Sequence, residues 1–96
     1  MSKDVLTELK RIKPLLEEKF GVKSLYLFGS FARADETEGS DVDLLVEFKE
    51  GFETFRNYMA LKDFLENQLH RPVDLVVRRA LKPFLREEIE KEVINV

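Results

Sequence analysis

Two short apolar runs, Leu25-Tyr26-Leu27-Phe28 and Leu44-Leu45-Val46, are joined by only about a dozen residues, from Gly29 to Ser40, and that spacing constrains the fold more than any other feature. Continuous apolar runs of this length read as strands covered on both faces. A parallel pairing would need a full crossover, normally with a helix of its own. The connection instead holds a short helical turn, Ser30-Phe31-Ala32-Arg33, and a polar loop, Asp35-Glu36-Thr37-Glu38-Gly39-Ser40. The two strands, 22–28 and 41–48, are therefore expected to pair antiparallel.

The rest of the chain adds a third strand at 72–77, bounded by Pro72 and Arg78-Arg79. Between strands two and three, Phe52, Phe55, Met59, Leu65 and Leu69 mark a helix over 52–69, long enough for a right-handed parallel crossover. A first helix over 4–20 follows from Val5, Leu9, Ile12, Leu16 and Phe20 at spacings of three and four, with Gly21 as its stop. Pro14 lies inside it, where a missing amide proton and a crowding ring predict a kink or a restart. Beyond Ala80 the pattern predicts a final helix, then an edge strand in Val93-Ile94-Asn95-Val96. Together these elements make an α/β (α+β) fold, a mixed sheet of three to four strands flanked by helices, in a single domain over 1–96.

Composition narrows the chemistry. There is no cysteine and one histidine, so thiol nucleophiles, thiolate zinc sites and His clusters are excluded, and any metal must be held by oxygen. Acidic charge gathers in the middle: residues 34–53 carry eight Asp/Glu against one Lys, a patch that argues against a broad nucleic-acid footprint and would attract divalent cations. No apolar run approaches the ~20 residues of a membrane span, and the N-terminal region is charged where a signal peptide would be apolar, so a cytoplasmic protein is expected.

The expected topology makes a geometric statement about three carboxylates. An antiparallel strand two begins beside the end of strand one, which brings Asp41 and Asp43 to Gly29-Ser30. A parallel strand three starts at the same edge, which brings Asp74 there. Residues two apart on a strand share a face about 6.6 Å apart, so Asp41 and Asp43 can reach a common metal. Converging carboxylates repel unless a cation relieves them, and an oxygen-only set with room for water and phosphates suits Mg²⁺, as one ion or a pair. Opposite them, Gly29-Ser30 entering a helical turn offers amides and a hydroxyl to an anion, and Arg33, one turn on, can pair a phosphate. Taken singly each feature has an ordinary explanation, a solvated turn or a helix cap. The joint pattern is what points to phosphoryl chemistry.

Gly29-Ser30-Phe31-Ala32-Arg33, followed by Gly39-Ser40-Asp41-Val42-Asp43-Leu44-Leu45-Val46, resembles the signature of the DNA polymerase beta nucleotidyltransferase superfamily. The small size, Val73-Asp74-Leu75-Val76 and Ala80-Leu81-Lys82-Pro83 are similar to its minimal nucleotidyltransferase branch. The resemblance implies that Asp41 and Asp43 bind Mg²⁺, that Asp74 completes the site and can act as base, and that Gly29 and Ser30, with Arg33 and Ser40, seat the triphosphate of ATP. The family's glycine after the arginine is Ala34 here. The resemblance further implies an antitoxin that silences an all-helical HEPN toxin by adding AMP to a tyrosine. With no room for an acceptor-gripping domain, a separate macromolecule suits the chain as acceptor, although a homodimer could also build a cleft. The alternative is a non-catalytic antitoxin that neutralises its partner by direct contact. His70, Arg78-Arg79 and the Glu-rich segment Glu87–Glu92 read as solvated surface.

Overall fold

The computed structural model describes residues 2–96, with side chains from Asp4 onward. In chain order the elements are α1 (Ser2–Phe20), β1 (Val22–Phe28), α2 (Gly29–Arg33), β2 (Val42–Phe48), α3 (Phe55–Leu69), β3 (Val73–Val77), a 3-10 turn (Arg78–Ala80), α4 (Pro83–Glu90) and β4 (Ile94–Asn95). The four strands form one mixed sheet in the order β3-β2-β1-β4. As the short connection required, β1 and β2 are antiparallel, and β3 joins β2 in parallel after the α3 crossover. The expected edge strand is β4, antiparallel to β1.

Helices α1 and α3 pack on one face. Val5, Leu9, Ile12, Leu16 and Phe20 of α1, with Leu61 and Leu65 of α3, are buried against Val22, Leu25, Leu27, Val42, Leu44, Val46, Val73 and Leu75 of the sheet. Leu45 points to the opposite face and is also fully buried. There, Tyr26, Leu45, Arg78, Glu90 and Val93 line a cavity of about 280 Å³. Arg78 bridges that face, pairing with Glu47 of β2 at 3.1 Å and Glu90 of α4 at 2.6 Å, and so fastens the C-terminal segment over the sheet.

Two local expectations differ from the structure. Helix α1 runs unbroken through Pro14. Pro14 and Lys10, whose carbonyl loses its amide partner, are both exposed, so water can take over the hydrogen bond. Helix α3 begins at Phe55 rather than Phe52, because Thr54 caps it, its hydroxyl accepting the Asn57 N–H at 3.1 Å. Phe52 folds back over Gly21 instead, where any Cβ would overlap its ring. Asn57 Nδ2 locks this corner by donating to the carbonyls of Phe20 at 2.7 Å and Phe52 at 2.8 Å.

The outer edge of β3 is covered by side chains of α3. The Glu66 carboxylate accepts the Val73 N–H at 2.8 Å, and Tyr58 Oη donates to the Leu75 carbonyl at 2.6 Å. That satisfies polar groups an edge strand would leave open to another chain. The Val73 N–H and the nearby Lys62 hold the Glu66 carboxyl below its usual pKa. His70 closes α3 as a left-handed cap, φ 56°, its N–H bonded to the Glu66 carbonyl at 2.9 Å, which accounts for it without catalysis.

Candidate active site

The site lies where the end of β1 meets the starts of β2 and β3. Register makes the meeting obligatory: Phe28 pairs with Asp43, and Asp43 pairs with Asp74. The chain leaves β1 at Gly29, φ +71°, a conformation that L side chains rarely adopt. A Cβ at Gly29 would overlap the Asp43 carboxylate and lie 2.9 Å from its Cγ. Glycine is thus needed for both backbone shape and space. Gly29→Ala is expected to displace the Asp43 carboxylate and to cost about 1–2 kcal/mol of stability from the left-handed strain. Thermal melts together with a transfer assay would check it; an alanine variant with wild-type activity would show that the close approach is dispensable.

The α2 turn is anchored by Phe31, which is 1% exposed. Above its ring lies the Arg71 guanidinium, 5.1 Å from the centroid, and Arg71 Nη1 donates to the carbonyls of Glu38 at 2.9 Å and Ser40 at 3.4 Å. Arg71 therefore ties three pieces together: the α2 turn, the acidic loop and the start of β3. The Val42 N–H to Pro72 carbonyl bond, 2.9 Å, completes the seam. Sequence reasoning missed Arg71. The available signal was its position immediately before a strand that topology sends to the acidic edge.

Ala34, at the position where the resemblance implies glycine, is left-handed with φ 62°. It ends α2 with its N–H on the Ser30 carbonyl, and the Asp35 N–H joins the same oxygen at 3.0 Å. The loop therefore takes a glycine-like shape without glycine. Ala34→Gly should raise stability by about 0.5–1 kcal/mol, the relief of left-handed strain less the entropy of a freer unfolded chain. Denaturant titration would read this; a loss of stability would mean the alanine methyl has a packing role.

Of the predicted residues, Gly29, Ser30, Asp43 and Asp74 come together at the edge, with Asp41 beside them at the start of β2. Asp41 and Asp74 are exposed and Asp43 is half-buried. None of the three carboxylates has a hydrogen bond or ion pair among the described residues. Burial, then the charges of Asp74 and Asp41, push the Asp43 carboxyl above its usual pKa, while Arg33 pulls in the opposite direction. Among the described residues no group of three or more carboxylate or imidazole side chains is gathered tightly enough to cage a metal on its own. An open, repelling, oxygen-only set fits a hard cation such as Mg²⁺ that retains water and arrives with phosphate oxygens. The Ser40 hydroxyl accepts the Thr37 N–H at 2.8 Å and closes the loop immediately before Asp41.

Arg33 is held by two acids. Nε bonds Asp35 Oδ2 at 3.1 Å and Nη1 bonds Glu92 Oε1 at 3.0 Å, and these partners, Asp35 first, raise its pKa. A cavity of about 630 Å³ lined by Asp4, Glu8, Asn67, His70 and Arg71 lies between α1 and the end of α3. The edge itself is open to solvent, which suits a bulky acceptor.

The profile of the nucleotidyltransferase domain matches residues 9–96. A Methanocaldococcus jannaschii protein named as a candidate protein adenylyltransferase is 40% identical over 97 residues, spanning 95% of this chain and 97% of its own. Protein adenylyltransferase MntA of Thermococcus cleftensis is 38% identical over 84 residues, 88% of this chain and 84% of its own. Among solved structures, one described as a candidate minimal nucleotidyltransferase superposes with a TM-score of 0.87 at 36% identity, covering 99% of this chain and 95% of that one. A toxin-antitoxin structure with AMP-PNP gives 0.74 at 26% identity, covering 92% and 70%. The complex of a tri-AMPylated Shewanella oneidensis HEPN toxin with its MNT antitoxin gives 0.67 at 25% identity, covering 99% and 71%. With the whole acidic edge inside the matched region, the chain belongs to the nucleotidyltransferase domain family.

Proposed function

We propose that the protein is a Mg²⁺-dependent protein adenylyltransferase that moves AMP from ATP to a tyrosine hydroxyl of a HEPN-type toxin, and thereby acts as the antitoxin of a cytoplasmic pair. The observation that carries this reading is the register Phe28–Asp43–Asp74, which sets the unpaired Asp43 carboxylate against a glycine with no room for a side chain and brings Asp74 level with it on the next strand. Relatives named protein adenylyltransferase, and the likeness to AMP-PNP-bound and AMPylated toxin-antitoxin structures, support the substrate and the acceptor.

In this reading the residues divide the work. The amides at the start of α2 and the Ser30 hydroxyl, which has no partner among the described residues, receive triphosphate oxygens, and Arg33 pairs a phosphate. Asp41, Asp43 and Asp74 would hold the metal, which when bound supplies positive charge to offset the carboxylates and the phosphates. The acceptor oxygen bonds to the α-phosphorus, the bond from that phosphorus to the α,β-bridging oxygen breaks, and pyrophosphate leaves. Asp74, exposed at the rim, takes the hydroxyl proton. The open shelf lets a side chain of another protein approach in line.

Intact mass of the co-expressed partner provides the test. Adenylyl increments located on a tyrosine are expected, and an unmodified partner that is nonetheless bound and neutralised would favour a contact-only antitoxin.

A further inference from the structure

Strand β4 does more than close the sheet. Its register with β1, Leu27 opposite Ile94 and Tyr26 opposite Asn95, runs antiparallel, so the residues before it travel toward the end of β1. Two positions further along the same register, Glu92 comes level with Gly29. Its carboxylate bonds Arg33 Nη1 at 3.0 Å, a contact between residues 59 apart in sequence. The same guanidinium is close enough to Asp43 to lower its pKa. Glu92 thus sits at the rim of the acidic site and occupies the cation that a phosphate would use.

We infer that Glu92 is a positioning residue that holds Arg33 until a triphosphate displaces it, so that nucleotide binding loosens the C-terminal segment from β1. This rests on the reading of Arg33 as a phosphate partner. Asp35 takes Nε and Glu92 takes Nη1, so a phosphate that approaches across the Nη1 and Nη2 end of the fork meets the Glu92 carboxylate and competes with it for the same nitrogen. The pair is half exposed, 47% for Arg33 and 41% for Glu92, so the latch is weak enough for a ligand to open. Beyond it, β4 is only two residues long, and the Val96 N–H to Leu25 carbonyl bond, 2.9 Å, is the last backbone tie. The Arg78–Glu90 pair and the packing of Ile94 and Val96 on the core stay in place, so what the freed Glu92 loosens is the short backbone tie of β4 to β1.

The test is a double-mutant cycle on ATP binding with Mg²⁺, measured by calorimetry on wild type, Glu92→Gln, Arg33→Ala and the double variant. Glu92→Gln should bind ATP about two- to five-fold more tightly, the scale of an exposed ion pair. On the Arg33→Ala background the same change should have little effect, because the latch has no partner left. An equal gain on both backgrounds would mean bulk charge alone and would overturn the latch, as would no gain in wild type. If Arg33→Ala binds ATP as wild type does, the phosphate role of Arg33 fails and the latch with it; if Arg33→Ala is weakened but Glu92→Gln is neutral, only the latch fails. Amide exchange of Val96, whose N–H is bonded to the Leu25 carbonyl, gives a readout independent of charge. It should rise when ATP is added to wild type and be raised already in Glu92→Gln without ATP; unchanged exchange in both would contradict release of the segment.

Discussion

Asp43→Asn is expected to reduce AMP transfer by about 10³-fold or more while leaving the fold intact, because it removes the half-buried carboxylate that faces both Gly29 and Asp74 and keeps its shape. The same variant should be slightly more stable than wild type near pH 7 without Mg²⁺. Burial and the charges of Asp74 and Asp41 raise the Asp43 pKa in the folded state above its unfolded value. A carboxyl shifted upward costs stability once pH rises through the unfolded pKa toward the folded one, and costs nothing below both. The advantage of asparagine should therefore be full above the raised pKa and disappear in acid. Thermal melts across that range check the sign, and Mg²⁺ with ATP should raise the melting temperature of wild type but not of the variant. A variant that transfers AMP at the wild-type rate would remove Asp43 from the chemistry; one destabilised at pH 7 would mean its charge is held by a partner.

Phe31→Ala carries the largest expected stability cost. The ring is 1% exposed, is the only buried side chain of α2, and lies under the Arg71 guanidinium. Removing it should cost about 3–5 kcal/mol, which for a chain of this size lowers the melting temperature by about 12 °C or more. Transfer should fall beyond what unfolding explains, because Arg71 loses its platform and with it the support of the loop at Glu38 and Ser40. Phe31→Leu, which restores most of the volume, should recover stability more fully than activity. A loss under about 1 kcal/mol in Phe31→Ala would show that α2 is held by something other than its core contact.

How far the sequence alone could reach depended on the range of the interactions. Apolar runs and a connection too short for a crossover made β1 and β2 antiparallel, and the length of α3 made β3 parallel; these follow from local geometry, and they bring Asp41, Asp43 and Asp74 to one edge. Pro14 misled because propensity says nothing of which face the proline occupies, and on the wet face its lost bond is tolerable. The start of α3 was legible in Thr54, a good cap, yet Phe52 extended the apolar stripe although it belongs to a turn against Gly21. Arg71 and Glu92 were beyond reach. Their partners lie 31 to 59 residues away, and the Glu92 contact depends on the register of a two-residue strand that periodicity cannot fix. In a chain with 36% charged residues, such acids and bases look like any other solvated surface until topology places them.

Nucleotide transfer at this edge is decided by offering the protein, with Mg²⁺ and a HEPN-type partner, ATP labelled at either the α or the γ phosphate. Label should reach the partner from the α position alone and be lost in Asp43→Asn. Label arriving from the γ position, or a stable complex that takes up neither label, would contradict nucleotide transfer.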